Sequence, residues 1–264
     1  FYGLGDFVGG FATRRLPVWR VPAWSMLMGS ALLVVGVLLV PADNVEAADI
    51  LWGAAAGVAG LIGVGFLYST LAAGSMTVVA PISGATAAVL PVLYDIAGGS
   101  ALTPRQWIGI GLARAAVVLV GTASDHEGVN ARIVARAVLA GVGFGLFFIA
   151  LSQTSPDSGL WPLVGARTAA VPLAFAAAFA TRSNALPHGR DIAMLALIGC
   201  LDMSANIAIA LALQIGPVGI NAVLSSLYPV VTAIAAIIVL RERPSTRQIL
   251  AVAFAMGAIV ALAI

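Results

Sequence analysis

The chain is a succession of apolar runs, most of them close to twenty residues long, broken by short polar connections. A helix needs about 20 mostly apolar residues to cross the hydrocarbon core of a bilayer, so runs of this length and number point to a polytopic membrane protein. Cut at its polar and Pro/Gly-rich breaks, the sequence gives ten segments: 1–13, 21–40, 50–73, 76–97, 105–123, 131–152, 158–181, 190–213, 216–240 and 246–264. Connections of a few residues force neighbouring helices to run antiparallel and leave no room for an extramembrane domain. The first segment is too short to span and begins on an aromatic residue, which suggests that residues before it are missing. Asp6 in its middle argues against a cleaved signal peptide.

Charge excludes most other classes. Only 9% of residues are charged, against about 25% in a soluble domain. Every basic residue is arginine, and a net charge of +2 spread along the chain gives no basic patch for nucleic acid. Cys200 stands alone, and His126 and His188 fall in polar connections, so neither a disulfide nor a Cys/His metal site is expected. There is no GxxxxGK[ST] loop, which removes a nucleotide-driven pump. No cofactor, no obligate protein partner and no enzymatic activity are expected. The arginines also bear on orientation. Connections after odd-numbered segments hold ten of them and those after even-numbered segments only Arg105, which places the odd set in the cytoplasm.

Sliding the chain against itself by about 140 residues shows an extended self-similarity. Gly5 and Phe7 fall on Gly145 and Phe147, Pro91 in LPV falls on Pro229 in YPV, and Arg105-Gln106 falls on Arg247-Gln248. A repeat of five spans inverts its second copy, and such pairs enclose a cavity near the bilayer midplane. The expected units are residues 1–123 and 131–264.

The two half-ends, AVLPVLYDIAGGSALTPRQWIGIGLARAAVVLVG and SLYPVVTAIAAIIVLRERPSTRQILAVAFAMGAIVALA, resemble those of the drug/metabolite transporter superfamily, in its ten-helix branch with two EamA-type halves. In that branch each half closes with a proline-centred fourth helix, a polar turn often containing Glu-Arg, and a glycine-rich fifth helix. Glu242-Arg243 matches the turn, whereas the first half has Gly98, Gly99 and Ser100 there. The resemblance implies an all-α transporter and, within the branch, is greatest to bacterial amino-acid exporters such as the YddG-type exporters of aromatic amino acids. It implies a plasma (inner) membrane location in a bacterium and cytoplasmic termini, the latter opposed to the arginine count.

Polar groups inside spans mark candidate sites. Asp202 and Asn206 lie four apart on one helical face, and Asn221, Ser225 and Tyr228 form a second stripe at i, i+4, i+7. Converging, the stripes would hold the ammonium and carboxylate of an amino acid; otherwise they bond helix to helix. Their first-half counterparts, Leu61, Gly65, Ser83, Ala87 and Leu90, are less polar, so a lopsided cavity suited to an amphipathic solute is expected. Ser83 and Tyr68 complete the substrate-binding set. Phe144, Phe148 and Trp161 are candidates for an apolar wall, with Trp161 beside Pro162 reading more as an interface anchor. Asp6 is the candidate proton site, and Pro91 and Pro229 the candidate gating hinges. Arg114, in mid-span, needs a partner, water or a distorted bilayer, and stays outside the site.

One rival reading begins with Gly3-Leu4-Gly5-Asp6 and Tyr94-Asp95, which look like the GxGD and YD motifs of aspartyl intramembrane proteases. The motifs stand in the wrong order, and the Pro-Ala-Leu motif of those enzymes is missing. The expectation is therefore a ten-helix secondary transporter that exports small amphipathic metabolites, amino acids and above all aromatic ones, with efflux of drugs or other metabolites as the alternative.

Overall fold

A computed structural model describes residues 1–73, 76–97, 99, 103–121, 131–183, 185–215 and 228–263. Among these residues there are ten α-helices: α1 Tyr2–Thr13, α2 Arg20–Leu39, α3 Ala47–Ala73, α4 Met76–Ala97, α5 Pro104–Gly121, α6 Ala131–Leu151, α7 Trp161–Ala180, α8 Arg190–Ile215, α9 Tyr228–Val239 and α10 Thr246–Ala263. A single 3₁₀ turn, Pro156–Ser158, precedes α7. Six of the helices (α2, α3, α4, α6, α7 and α8) are long and apolar enough to cross a bilayer, and α9 and α10 are shorter but apolar. Large apolar side chains stand exposed on the outer surface, among them Leu38 at 80%, Ile238 at 70% and Trp107 at 64%. Water would penalise such a surface, and lipid would not.

The aligned Arg-Gln pairs turn out to belong to the same helix-start device, used twice. At the start of α5 the Thr103 N–H donates to Gln106 Oε1 (2.9 Å) while the Gln106 N–H donates to Thr103 Oγ1 (3.3 Å). At the start of α10, Ser245 and Gln248 exchange the same two bonds at 2.9 and 3.3 Å. Each pair satisfies two N–H groups that a helix terminus leaves without intrahelical acceptors.

Packing between the halves has the same twofold character. Helix α3 packs on α6 and α7, and α8 packs on α1 and α2; α4 packs on α6, and α9 on α1; α2 meets α7, α4 meets α9, and α5 meets α10. Exchanging the numbers 1–5 with 6–10 returns these same pairs, whereas the contact of α4 with α10 is not matched by one of similar size between α5 and the described part of α9. The closest crossings are made by glycine. Gly29 on α2 abuts the backbone of Gly199 on α8, and Gly57 on α3 abuts the backbone of Ala166 on α7, so a side chain at either glycine would strike main chain.

The two ends of the bundle are tied differently. At the arginine-rich end Glu242, in the turn after α9, accepts from the N–H groups of Met76 (3.1 Å) and Thr77 (3.0 Å), from Thr77 Oγ1 (2.8 Å) and from Arg14 Nη2 (3.3 Å). It thereby caps α4 and joins α1, α4 and α9. At the opposite end the buried Asp49 caps its own helix through the Glu46 N–H (3.0 Å) and accepts from the Ser155 N–H (2.7 Å), joining the connections before α3 and before α7.

Candidate functional site

Side chains from α1, α2, α3, α6, α7, α8 and α9 enclose one central cavity, whose empty space including its mouth is about 840 Å³. Tyr2, Gly5 and Asp6 share one face of α1 and turn it inward, and Gly5 lies against Asp202, its Cβ position 3.8 Å from the Asp202 backbone nitrogen. On the far side the wall is aromatic and aliphatic: Phe144, Phe147 and Phe148 on α6, with Leu61 and Val64 on α3. The Phe147 and Phe148 rings meet edge to face at 5.4 Å.

The polar part is one connected chain. Tyr2 Oη donates to Asn206 Oδ1 (3.0 Å), Asn206 Nδ2 donates to the Asp202 carbonyl (2.8 Å), and Arg167 Nη2 on α7 donates to Asp202 Oδ2 in an ion pair. The Tyr2 ring also packs edge-on against Tyr228, centroids 6.0 Å apart. Asp6 faces the same space, and its carboxylate has no hydrogen bond or ion pair among the described residues. Such groups buried in a low-dielectric interior interact strongly with any charge that enters.

Repeated pairings, a duplicated helix start and an amphipathic central cavity fit a duplicated membrane transporter, and the comparison with protein families agrees. The model of the EamA-like transporter family matches twice, at residues 1–122 and 132–264. This chain belongs to the EamA-like transporter family. It is thus a multi-pass membrane transporter of the drug/metabolite transporter superfamily with a small-molecule substrate, and not an enzyme. No curated protein matches the chain. A solved crystal structure matches with a TM-score of 0.63, over 99% of this chain and 95% of its own, at 15% identity, a likeness of fold alone.

Within this EamA-like chain, Asp202, Asn206, Tyr228, Tyr68 and Asp6 all line the cavity, as do Phe144 and Phe148. Ser83 is not among the lining residues: it is fully buried in α4, donates to the Ala80 carbonyl at 2.9 Å, and its side chain adjoins that of the lining Tyr228. Asn221 and Ser225 lie outside the described residues, as does His126. Trp161 stands 40% exposed at the start of α7 and is absent from the cavity wall, the position of an interface anchor. Pro91 falls inside α4, while Pro229 is the second residue of the described α9, where a missing N–H breaks no bond of the described helix. Arg114 is exposed on α5 and takes no part in the cavity. Tyr94 is likewise exposed and donates to Gln153 Oε1 at 3.4 Å, and the side chain of Asp95 lies outside the described residues.

Two polar residues of the cavity lining lie outside the set that the sequence offers. Arg167 sits seven residues into α7, where the cost of an intramembrane charge marks it as clearly as Asp202. Tyr2 carries no signal of its own, being one aromatic residue in a short apolar run.

Proposed function

We propose that this chain is a secondary transporter that exports small amphipathic metabolites, amino acids first and aromatic ones preferred, by alternating access. Ten membrane helices in two inverted five-helix repeats would surround the cavity, with one repeat rocking against the other. The duplicated helix starts, the exchangeable pairings and the twofold family match support that architecture.

One observation carries the substrate reading: the cavity presents both signs of charge, the Arg167–Asp202 ion pair and the carboxylate of Asp6, beside a wall of phenylalanines. A zwitterion with an aromatic side chain offers a complement to each part. Sugars, which want hydrogen bonds all round, do not. Asp202, Asn206, Tyr228 and Tyr68 form the polar lining in this reading. Asp6 exchanges a proton, and the Pro91 helix bends at the gate.

Counterflow tests this directly. Liposomes holding the purified protein and loaded with unlabelled solute should accumulate labelled phenylalanine and tryptophan saturably, and empty liposomes should not. Exchange of a cationic dye without amino acids would replace this reading with drug efflux, and exchange of neither would refute both.

A further inference from the structure

Ion pairs that only hold helices together in a membrane tend to saturate their partners, because every unpaired N–H or carboxylate oxygen left in a dry interior costs free energy. The pair between α7 and α8 is not saturated. Arg167 engages Asp202 through one nitrogen, Nη2, and one oxygen, Oδ2, rather than fork to fork. The other guanidinium N–H groups and Asp202 Oδ1 form no hydrogen bond among the described residues, and none of them is a fully buried unsatisfied atom, so they are left accessible at the cavity, with the Arg167 side chain 11% exposed. Both side chains border the cavity. Asp202 is the more open of the two at 26%, so it is the carboxylate that has room to swing away.

We propose that Arg167 is the receptor for the solute's carboxylate, and that Asp202 is an internal stand-in which the solute displaces. On entry the solute carboxylate takes the guanidinium in fork geometry, which fits a planar two-oxygen group better than the present single contact. The released Asp202, together with the unpartnered Asp6, then receives the solute's ammonium. Tyr2 and Asn206 hold the backbone of α8 in place during the exchange, through the Asn206 bond to the Asp202 carbonyl. Because Arg167 belongs to α7 and Asp202 to α8, occupancy replaces a direct bond between two helices by bonds through the solute. Asp202 is therefore a specificity-determining residue. It holds the empty site charge-paired, and it lowers apparent affinity by the fraction of time it occupies the guanidinium. This inference rests on the transporter reading above.

The test uses the full chain in liposomes, with labelled phenylalanine counterflow and four unlabelled competitors: phenylalanine, 3-phenylpropanoate, phenethylamine and phenylalaninamide. Both carboxylates should compete, and the amine and amide should be weaker by about tenfold or more, the range of one lost charge-assisted bond. Asp202→Asn should lower the half-inhibiting concentration of 3-phenylpropanoate several-fold, because the stand-in is gone, while Arg167→Gln, which removes the receptor for phenylalanine as well, should abolish thermal stabilisation by 3-phenylpropanoate. Thermal stabilisation of the detergent-solubilised variants by 3-phenylpropanoate gives the same ordering independently of transport. An amine that competes as well as phenylalanine overturns the proposal and leaves the transporter intact, and so does a weaker carboxylate in Asp202→Asn. Loss of all saturable exchange in the unaltered protein defeats the transporter reading instead. If Asp202→Asn does not fold, the competitor series on the unaltered protein decides.

Discussion

The second half of the chain brings Arg167, Asp202 and Asn206 to the cavity, a connected set on two adjacent helices. The first half brings Asp6, Tyr2 and Tyr68, together with the glycines and aliphatic residues of α3. At the 140-residue offset Arg167 meets Leu27, an exposed residue of α2, and Asp6 meets Leu146, an exposed residue of α6. The helix starts at Gln106 and Gln248, and the crossings at Gly29 and Gly57, do have counterparts in the other half. Paired features therefore build the frame, and unpaired ones line the cavity and distinguish the two faces. This division predicts that frame substitutions act alike in both halves and lower stability, while unpaired ones change transport.

The largest effect should come from Arg167→Leu. It removes the guanidinium and strands Asp202 in the cavity wall, a loss of about 3–5 kcal/mol for a buried pair broken from one side. Counterflow should vanish, and the apparent melting temperature should fall. The double variant Arg167→Leu/Asp202→Leu should regain most of the stability and none of the transport. If it regained transport, the charges would belong to the frame and the comparison would fail.

Next come the crossings. Gly29→Leu and Gly57→Leu each drive a side chain into main chain, of Gly199 and of Ala166 respectively, and each should cost at least about 1–3 kcal/mol with little difference between them. Gly111, with nothing within 4 Å of its Cβ position, is the control: Gly111→Ala should be neutral or slightly stabilising. Thermal unfolding in detergent reads all three, and a large inequality between the two crossings would break the twofold frame.

How much of this was readable from the chain depends on the range of the interaction. The helices followed from apolar run lengths, and the inward faces of α8 and α1 from single polar residues in apolar surroundings. Arg167 is legible on the same ground as Arg114, a charge inside an apolar run, but an arginine tally confined to the connections does not reach it. The partners of Glu242 and Asp49 were not readable at all, since bonds to Met76, Thr77 and Ser155 span more than a hundred residues and leave no periodicity. Ser83 shows the limit at a single residue: an i−3 carbonyl within its own helix competes for a serine hydroxyl, and the sequence does not tell which partner wins.

Glu242, which has no acidic counterpart in the first half, distinguishes the two faces, and Glu242→Gln should cost about 1–3 kcal/mol, because the amide turns an N–H toward an α4 N–H that the carboxylate accepts from. The amide keeps one acceptor oxygen for α4, but loses the charge that favours a helix N-terminus and the ion pair to Arg14, whose side chain is 35% exposed and therefore well screened. Unlike the crossings, it should alter counterflow rate more than melting temperature, because the bond joins helices from both halves. An unchanged rate would reduce Glu242 to a simple cap.

The smallest effects test the frame most finely. Gln106→Ala and Gln248→Ala each remove one side of a reciprocal helix start, worth about 0.5–2 kcal/mol for a cap residue. The two bonds have matching lengths, but Gln248 is 3% exposed and Gln106 lies in a partly open position. Water can replace the lost acceptor at Thr103 more readily than at Ser245, so the second-half variant should be the less stable of the two, by a margin set by burial alone. Replacing Gln by Glu at each position keeps the acceptor and should restore the helix start at Gln106 but not at the buried Gln248, where a charge pays desolvation. Equal losses in the two alanine variants, or equal rescue by the two glutamates, would mean that the halves are alike in environment as well as in geometry.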